Sequence, residues 1–183
     1  MNERPEALVS VDIEASGPTP STGSLLSIGA CLIDDVSVDF YVELQPNIDL
    51  EWDASAERIH GLSREHLLRD GLEPVDAMRQ FADWTENACA PRAPVFVGFN
   101  APFDWMFVAD YLWRYVGRNP YGISAIDLKS YYMARENVAT WERTRRTYVD
   151  AVLGIDPDHN HHALDDAKGQ ARLATVLLGR HSG

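Results

Sequence analysis

The chain has 183 residues, 45% hydrophobic and 24% charged, proportions that fit one globular domain with a sizeable core and call for no second one. No internal repeat, low-complexity tract or linker interrupts it, and no apolar run is long enough to span a bilayer. The net charge of −12, with no basic stripe in sequence, argues against a protein that holds long duplexes and implies a small footprint on any polyanion.

In chain order, residues 7–11 form an apolar run that reads as a strand, and 17–23 read as a loop by their Gly, Pro, Ser and Thr content. Residues 25–33 and 36–44 read as two further strands around Asp34 and Asp35, a hairpin turn, so that three antiparallel strands make one side of a sheet. Residues 47–72 show no regular period and are expected to be irregular. Pro74 opens an amphipathic helix reaching Ala88, with Val75, Met78, Phe81 and Ala82 on one face. Residues 95–99 read as a fully buried strand, and Pro102 begins a helix carried by Phe103, Phe107, Tyr111, Leu112 and Tyr115 until Gly117. A short strand at 123–126 enters a helix from Leu128, and a last helix runs from near His162 to about Leu178. The order is β-β-β-α-β-α-β-α with a terminal helix, an α/β arrangement.

The leader-like features of a secreted chain are missing from residues 1–6, so a cytoplasmic location is expected. Cys31 lies in an apolar strand-like run and Cys89 in a helix-like one, without CxxC or disulfide-rich spacing, which suits a reducing compartment and simple packing.

Three separated acidic patches carry the chemistry. Side chains at i and i+2 of a strand point the same way, so Asp12 and Glu14 project together from the end of the first strand. Asp104 sits in the first turn of a helix that follows a strand, a favoured ligand position in open α/β sheets, and Asp166 lies five residues after His161. If the fold gathers them, unit charges ~4 Å apart repel by about 4 kcal/mol at an effective dielectric of ~20, which calls for divalent cations or unusual protonation. Oxygen-only ligands match Mg²⁺ or Mn²⁺ better than zinc.

Asp12-Ile13-Glu14-Ala15-Ser16-Gly17, Asn100-Ala101-Pro102-Phe103-Asp104 and His161-His162-Ala163-Leu164-Asp165-Asp166-Ala167 resemble, in this order, the three motifs of the DEDDh family of 3′–5′ exonucleases. That family includes the proofreading subunit of bacterial replicative polymerase, RNase T and oligoribonuclease. The similarity spans roughly residues 7–179. It implies an RNase H-like fold, a five-stranded mixed sheet flanked by helices, in a single exonuclease domain over residues 1–183. It also implies metal-dependent hydrolysis at the 3′ ends of single-stranded DNA or RNA, with nucleoside 5′-monophosphates as products and two divalent cations, Mg²⁺ or Mn²⁺, as cofactors.

By the same resemblance, Asp12 bridges both metals, Glu14 and Asp166 complete the site holding the attacking water, and Asp104 supports the second metal through water. His161 is then the general base, and an unperturbed imidazole pKa of about 6.5 suits that task. Ala15, Ile59, His60 and Asn100 are the implied substrate contacts. An exoribonuclease processing short RNA is an alternative, as is a noncatalytic, proofreading-type subunit or adaptor on the same fold. A homodimer or a polymerase-associated subunit is compatible with either.

The chain also departs from the family pattern. A Thr often follows the Glu of the first motif, where Ala15 offers only its backbone, and a His often precedes the Asn of the second, where this chain has Phe99. His-x4-Asp selects His161, whereas a related subfamily's Tyr-x3-Asp puts His162 in the equivalent place; the closing Asp-Ala selects Asp166 over Asp165. The cluster His159-Asn160-His161-His162 also reads as a metal tract or a mobile loop. Asp104 alternatively complements a helix N-terminus. Ile59 and His60 either flank a terminal base or pack a loop, and Asn100 either meets substrate or caps its helix. Arg143, Arg145 and Arg146, beside Trp141 and Tyr148, are either phosphate and base contacts or a solvated helix face. Trp105 and Trp113 read as core or dimer contacts.

Overall fold

The computed structural model describes residues 4–155 and 161–179. Its central strand, β1 (Glu6–Ala15), pairs antiparallel with β2 (Leu25–Leu32), which pairs antiparallel with β3 (Asp39–Glu43). On the other side of β1, β4 (Ala93–Gly98) and β5 (Ala125–Asp127) run parallel to it, giving a mixed sheet in the order β3-β2-β1-β4-β5. β1 extends four residues past the apolar run: Asp12 stands opposite Gly29 and Glu14 opposite Ser27, before a register shift between Glu14 and Ala15. The ladder therefore continues through the carboxylates rather than ending before them.

The alternation of β1 sorts its side chains between two layers. Ala7, Val9, Val11 and Ile13 join the core formed with Met78 and Phe81 of α3 (Pro74–Cys89) and with Phe107 and Tyr111 of α4 (Pro102–Tyr111). Leu8 faces the opposite layer with Leu128 and Tyr132 of α5 (Leu128–Arg135), Val149 of α6 (Arg146–Leu153), and Leu173 and Leu177 of α7 (Ala163–Leu178). Both faces of the sheet are covered, so all of β2 is buried and reads as a continuous apolar run. Asp12 and Glu14, two and four residues beyond Ser10, share the α7 face.

Several elements differ from the sequence expectation. Residues 47–72 hold two short helices, α1 (Ala54–His60) and α2 (Arg64–Asp70). Asp53 caps the first by accepting from the Ser55 N–H, and Ser63 caps the second by accepting from the His66 N–H. Seven residues are too few to display a period, and Leu67 is the one buried residue of α2. α6 and a 3₁₀ turn at Trp141–Thr144 are absent from the expected element order, although a helix face is one reading of Arg143, Arg145 and Arg146. The helix from Pro102 does not stay α-helical to Gly117; it passes into a π-turn over Leu112–Val116, closed by the Gly117 N–H on the Leu112 carbonyl.

β3 begins only at Asp39, because the Asp35 side chain accepts from the Ser37 N–H and holds the turn open. β4 is fully buried only at its second half, β5 starts at Ala125 with Ile123 89% exposed, and Val75 lies at the exposed edge of α3. Trp105 packs edge-on against Phe96, while Trp113 is exposed. Cys31 and Cys89 are buried and free. No helix among the described residues is long and apolar enough to cross a membrane.

Candidate active site

The placement of α7 starts with a glycine. A Cβ built on Gly29 would lie 2.2 Å from the Ala163 carbonyl carbon and the Leu164 nitrogen, so the helix backbone rests directly on β2 opposite Asp12. That close approach brings Asp166, in the first turn of α7, to the carboxylates of β1. One turn further, buried Gln170 donates through Nε2 to Ser10 Oγ at 2.9 Å, to the Val11 carbonyl at 3.1 Å and to the Val97 carbonyl at 3.2 Å, while its Oε1 accepts from the Phe99 N–H. Ser10 Oγ donates in turn to the Ala167 carbonyl at 2.7 Å. One side chain thus pins α7 across the middle of β1 and the carboxyl end of β4.

Asp104 arrives from the other side. After β4, Asn100 adopts a left-handed conformation (φ 63°) that turns the chain into α4, and the Ala101 N–H donates to Asp127 Oδ1 at 3.1 Å. Asp104 is buried, and its Oδ1 accepts from the Ile13 N–H at 3.2 Å, between Asp12 and Glu14. α4 has no side-chain cap, so the capping alternative for Asn100 is not realised; the residue is exposed.

The four carboxylates act on one another. Burial first, then Asp104, Asp166 and Glu14, push the Asp12 carboxyl well above its ordinary range, with Arg146 pulling the other way. Burial, Asp166 and Asp104 push Glu14 up to about 8. Asp104 is also pushed up to about 8, by burial and by Asp127, against two backbone N–H bonds that favour its anion. Glu14, Asp166 and His161 each present a ligand atom within 4.8 Å of the others.

His161 is exposed and left-handed (φ 57°), whereas His162 occupies the cap position of α7, its carbonyl accepting from the Asp166 N–H. The His162 ring stacks on Tyr41 of β3 at 4.4 Å, and Tyr41 donates to Glu43 Oε1 at 2.8 Å. The two histidines therefore have different settings: one meets Glu14 and Asp166, and the other is held by an aromatic ring. His159 and Asn160 of the histidine-rich tract lie outside the described residues.

Beside Glu14 opens a cleft of about 380 Å³ lined by Ala15, Gly17, Pro18, Asp53, Ile59, His60 and Phe103. Of the four expected substrate contacts, Ala15, Ile59 and His60 line it and Asn100 does not. The His60 ring is buried; its Nδ1 accepts from the Leu62 N–H, which puts the neutral ring's proton on Nε2, an atom with no hydrogen bond among the described residues. Burial first, and His161 with it, lower the His60 pKa below the ordinary imidazole value, against Glu57.

Sequence reasoning missed Gly29, Asp127, Gln170, Tyr41 and the cleft wall made by Phe103. Two of these carried a signal. Gln170 lies i+4 from Asp166 on one helix face, and Asp127 stands where a strand ends and a helix begins.

Solved structures share this fold. The nuclease domain of 3′hExo, described as a DEDDh family member bound to rAMP, superposes with a TM-score of 0.77 at 16% identity over 94% of this chain and 92% of that one. The zinc-bound complex of Escherichia coli ExoI with single-stranded DNA gives 0.75 at 17% identity, covering 96% of this chain and 41% of that one. The architecture is the RNase H-like fold of DEDDh exonucleases, and the protein is a 3′–5′ exonuclease, a hydrolase acting on phosphodiester bonds. The chain belongs to the 3′-5′ exoribonuclease Rv2179c-like domain family, which matches residues 7–178. It is 44% identical over 173 residues to the 3′-5′ DNA exonuclease Cap18 of Escherichia coli, spanning 94% of this chain and 91% of that protein. A PolC-type DNA polymerase III of Thermotoga petrophila is 25% identical over 90% of this chain, which is 11% of that polymerase.

Proposed function

We propose that this protein, as a single domain, removes nucleoside 5′-monophosphates stepwise from the 3′ ends of single-stranded DNA with Mg²⁺ or Mn²⁺, two ions per site. The observation that carries the reading is the meeting of Glu14, Asp166 and His161 within 4.8 Å, next to Asp12 and Asp104 and a nucleotide-sized cleft. The donor set fits hard divalent cations: it is built of carboxylate oxygens, and the carboxyls of Asp12, Glu14 and Asp104 resist ionisation until a cation offsets their repulsion. When bound, a pair of such cations compensates charge on the attacking and leaving oxygens of an in-line displacement.

The chain's own residues do the rest. Asp12, Glu14, Asp104 and Asp166 hold the ions, with Asp104 steadied by the Ile13 N–H. An imidazole nitrogen of His161 takes the proton of the attacking water, and its exposed, left-handed position lets the proton leave to solvent. Ile59 and Phe103 offer apolar walls to the terminal base, the His60 ring backs the cleft, and Ala15 contributes backbone. Asn100, exposed, meets the strand outside the cleft.

DNA is favoured by the 44% identical DNA exonuclease, RNA by the family's description, and a polymerase-associated role by the match to PolC-type enzymes. Labelled DNA and RNA 12-mers incubated with and without Mn²⁺, with products resolved by length, separate these readings. The proposal expects a metal-dependent ladder of 5′-monophosphate release from DNA. Faster release from RNA would transfer the substrate assignment to short RNA, and absence of release from both would leave only the noncatalytic reading.

A further inference from the structure

The acidic chain carries three arginines within four residues, Arg143, Arg145 and Arg146, and the fold brings them to the carboxyl edge of the sheet. Arg146 is the innermost. Its Nε donates to both oxygens of buried Asp150 at 2.9 and 3.0 Å, and its guanidinium lies 5.4 Å from the Phe99 ring centroid, immediately before the turn that leads to Asp104. Arg146 is also the cation that offsets the crowding around Asp12. From there the surface runs outward. Buried Thr144 donates to the Trp141 carbonyl at 2.6 Å and fixes the 3₁₀ turn, leaving the Trp141 ring 51% exposed with Lys129 Nζ 4.3 Å from its centroid. Lys129 stands two residues after Asp127, the carboxylate that holds the Ala101 N–H. Arg143 and Arg145 are exposed on the same turn, the latter paired with Glu142 at 2.9 Å.

We propose that Lys129, Trp141, Arg143, Arg145 and Arg146 form the track for the nucleotides on the 5′ side of the scissile bond, with Trp141 stacking on a base and Arg143 and Arg145 meeting phosphates. The chemistry fits single-stranded nucleic acid: Lys129 over an exposed aromatic ring, two exposed arginines on the turn that carries that ring, and Arg146 close enough to act on Asp12, in a chain of net charge −12. A purely solvated helix face does not require Trp141 to stand out of the core, nor Thr144 to lock the turn that presents it. This track rests on the exonuclease reading above.

The test compares oligothymidylates of 2 and 12 nucleotides on wild type, Trp141→Ala, Trp141→Phe and Arg143→Ala/Arg145→Ala. All three positions are exposed, so folding is checked simply by melting temperature. For Trp141→Ala the KM for the 12-mer rises about 5- to 150-fold, the range of one lost base stack, with a much smaller rise for the dinucleotide and recovery in Trp141→Phe. For the double arginine variant, the log-log salt slope of 12-mer binding becomes shallower by about 1.4, at ~0.7 per phosphate. Binding of a fluorescein-labelled 12-mer in chelator, read by anisotropy, follows the track without cleavage. Equal effects on both lengths, or unchanged 12-mer binding in the variants, would overturn the track. Wild-type binding that Trp141→Ala weakens, with no nucleotide release in Mn²⁺, would support the track and sink the nuclease reading.

Discussion

Gly29 on β2 and Ala163 at the start of α7 touch backbone to backbone, and this contact sets how near Asp166 comes to Asp12 and Glu14. Gly29→Ala forces the helix away, because its new methyl would meet main-chain atoms at 2.2 Å. Overpacking of this kind costs about 1–3 kcal/mol, and displacement of a reacting group by ~1 Å costs on the order of 10²-fold in rate. The variant should therefore lose activity well beyond its loss of stability. Rates and melting curves on the same preparation check this, and a fully active Gly29→Ala would show that α7 is not positioned here.

Gln170 fixes the same helix by hydrogen bonds rather than contact. Gln170→Leu removes the acceptor of the Phe99 N–H and the amide donor that reaches the Val11 and Val97 carbonyls, at about 1–3 kcal/mol for a buried group left unpaired. A fall of several degrees in melting temperature is expected, at about 2–4 °C per kcal/mol for a chain of this size. An unchanged melting temperature would show that water or a neighbouring donor replaces the amide.

The raised carboxyls make metal-free stability depend on pH. Glu14 and Asp104 titrate near 8 in the fold, against 4.5 and 3.8 ordinarily. Between those limits the folded protein holds more protons than the unfolded chain, so raising pH removes stability. Bound metal displaces the protons. The gain in melting temperature on adding Mn²⁺ should widen from pH 5 to pH 8; a constant gain would mean that these carboxyls are not where the ions bind.

His161 and His162 should separate cleanly. His161→Ala removes the proposed base and should lower kcat by about 10²- to 10⁴-fold while metal still binds. His162 stacks on Tyr41, so His162→Phe and Tyr41→Phe, which keep the stack, should retain most of the rate, and Tyr41→Ala should lower it by loosening the segment that bears His161. The reverse order, with His162→Phe inactive and His161→Ala active, would assign the base to His162.

The sequence made the sheet and its chemistry legible where the physics is local. Alternation in β1 separated Val9, Val11 and Ile13 from Asp12 and Glu14, and Pro102 marked the start of α4. Helices α1 and α2 were not legible because seven residues with one-sided or absent burial show no period; only the caps at Asp53 and Ser63 announced them. The partners of the site were hidden for another reason. Gly29 and Tyr41 act by contact between layers, and nothing in their own neighbourhoods records what they will meet; Gln170 shares a helix face with Asp166, but its partners lie 71 to 160 residues away.

The central claim is that Asp12 and its partners form a metal-dependent centre that acts only from a free 3′ end. It is tested most directly by incubating linear and circular single-stranded DNA with wild type and Asp12→Asn in Mn²⁺ and in chelator. Stepwise shortening of the linear strand by wild type in Mn²⁺ alone is expected, with an intact circle throughout and no cleavage by a folded Asp12→Asn. Cutting of the circle, or wild-type rates from Asp12→Asn or in excess chelator, would contradict it.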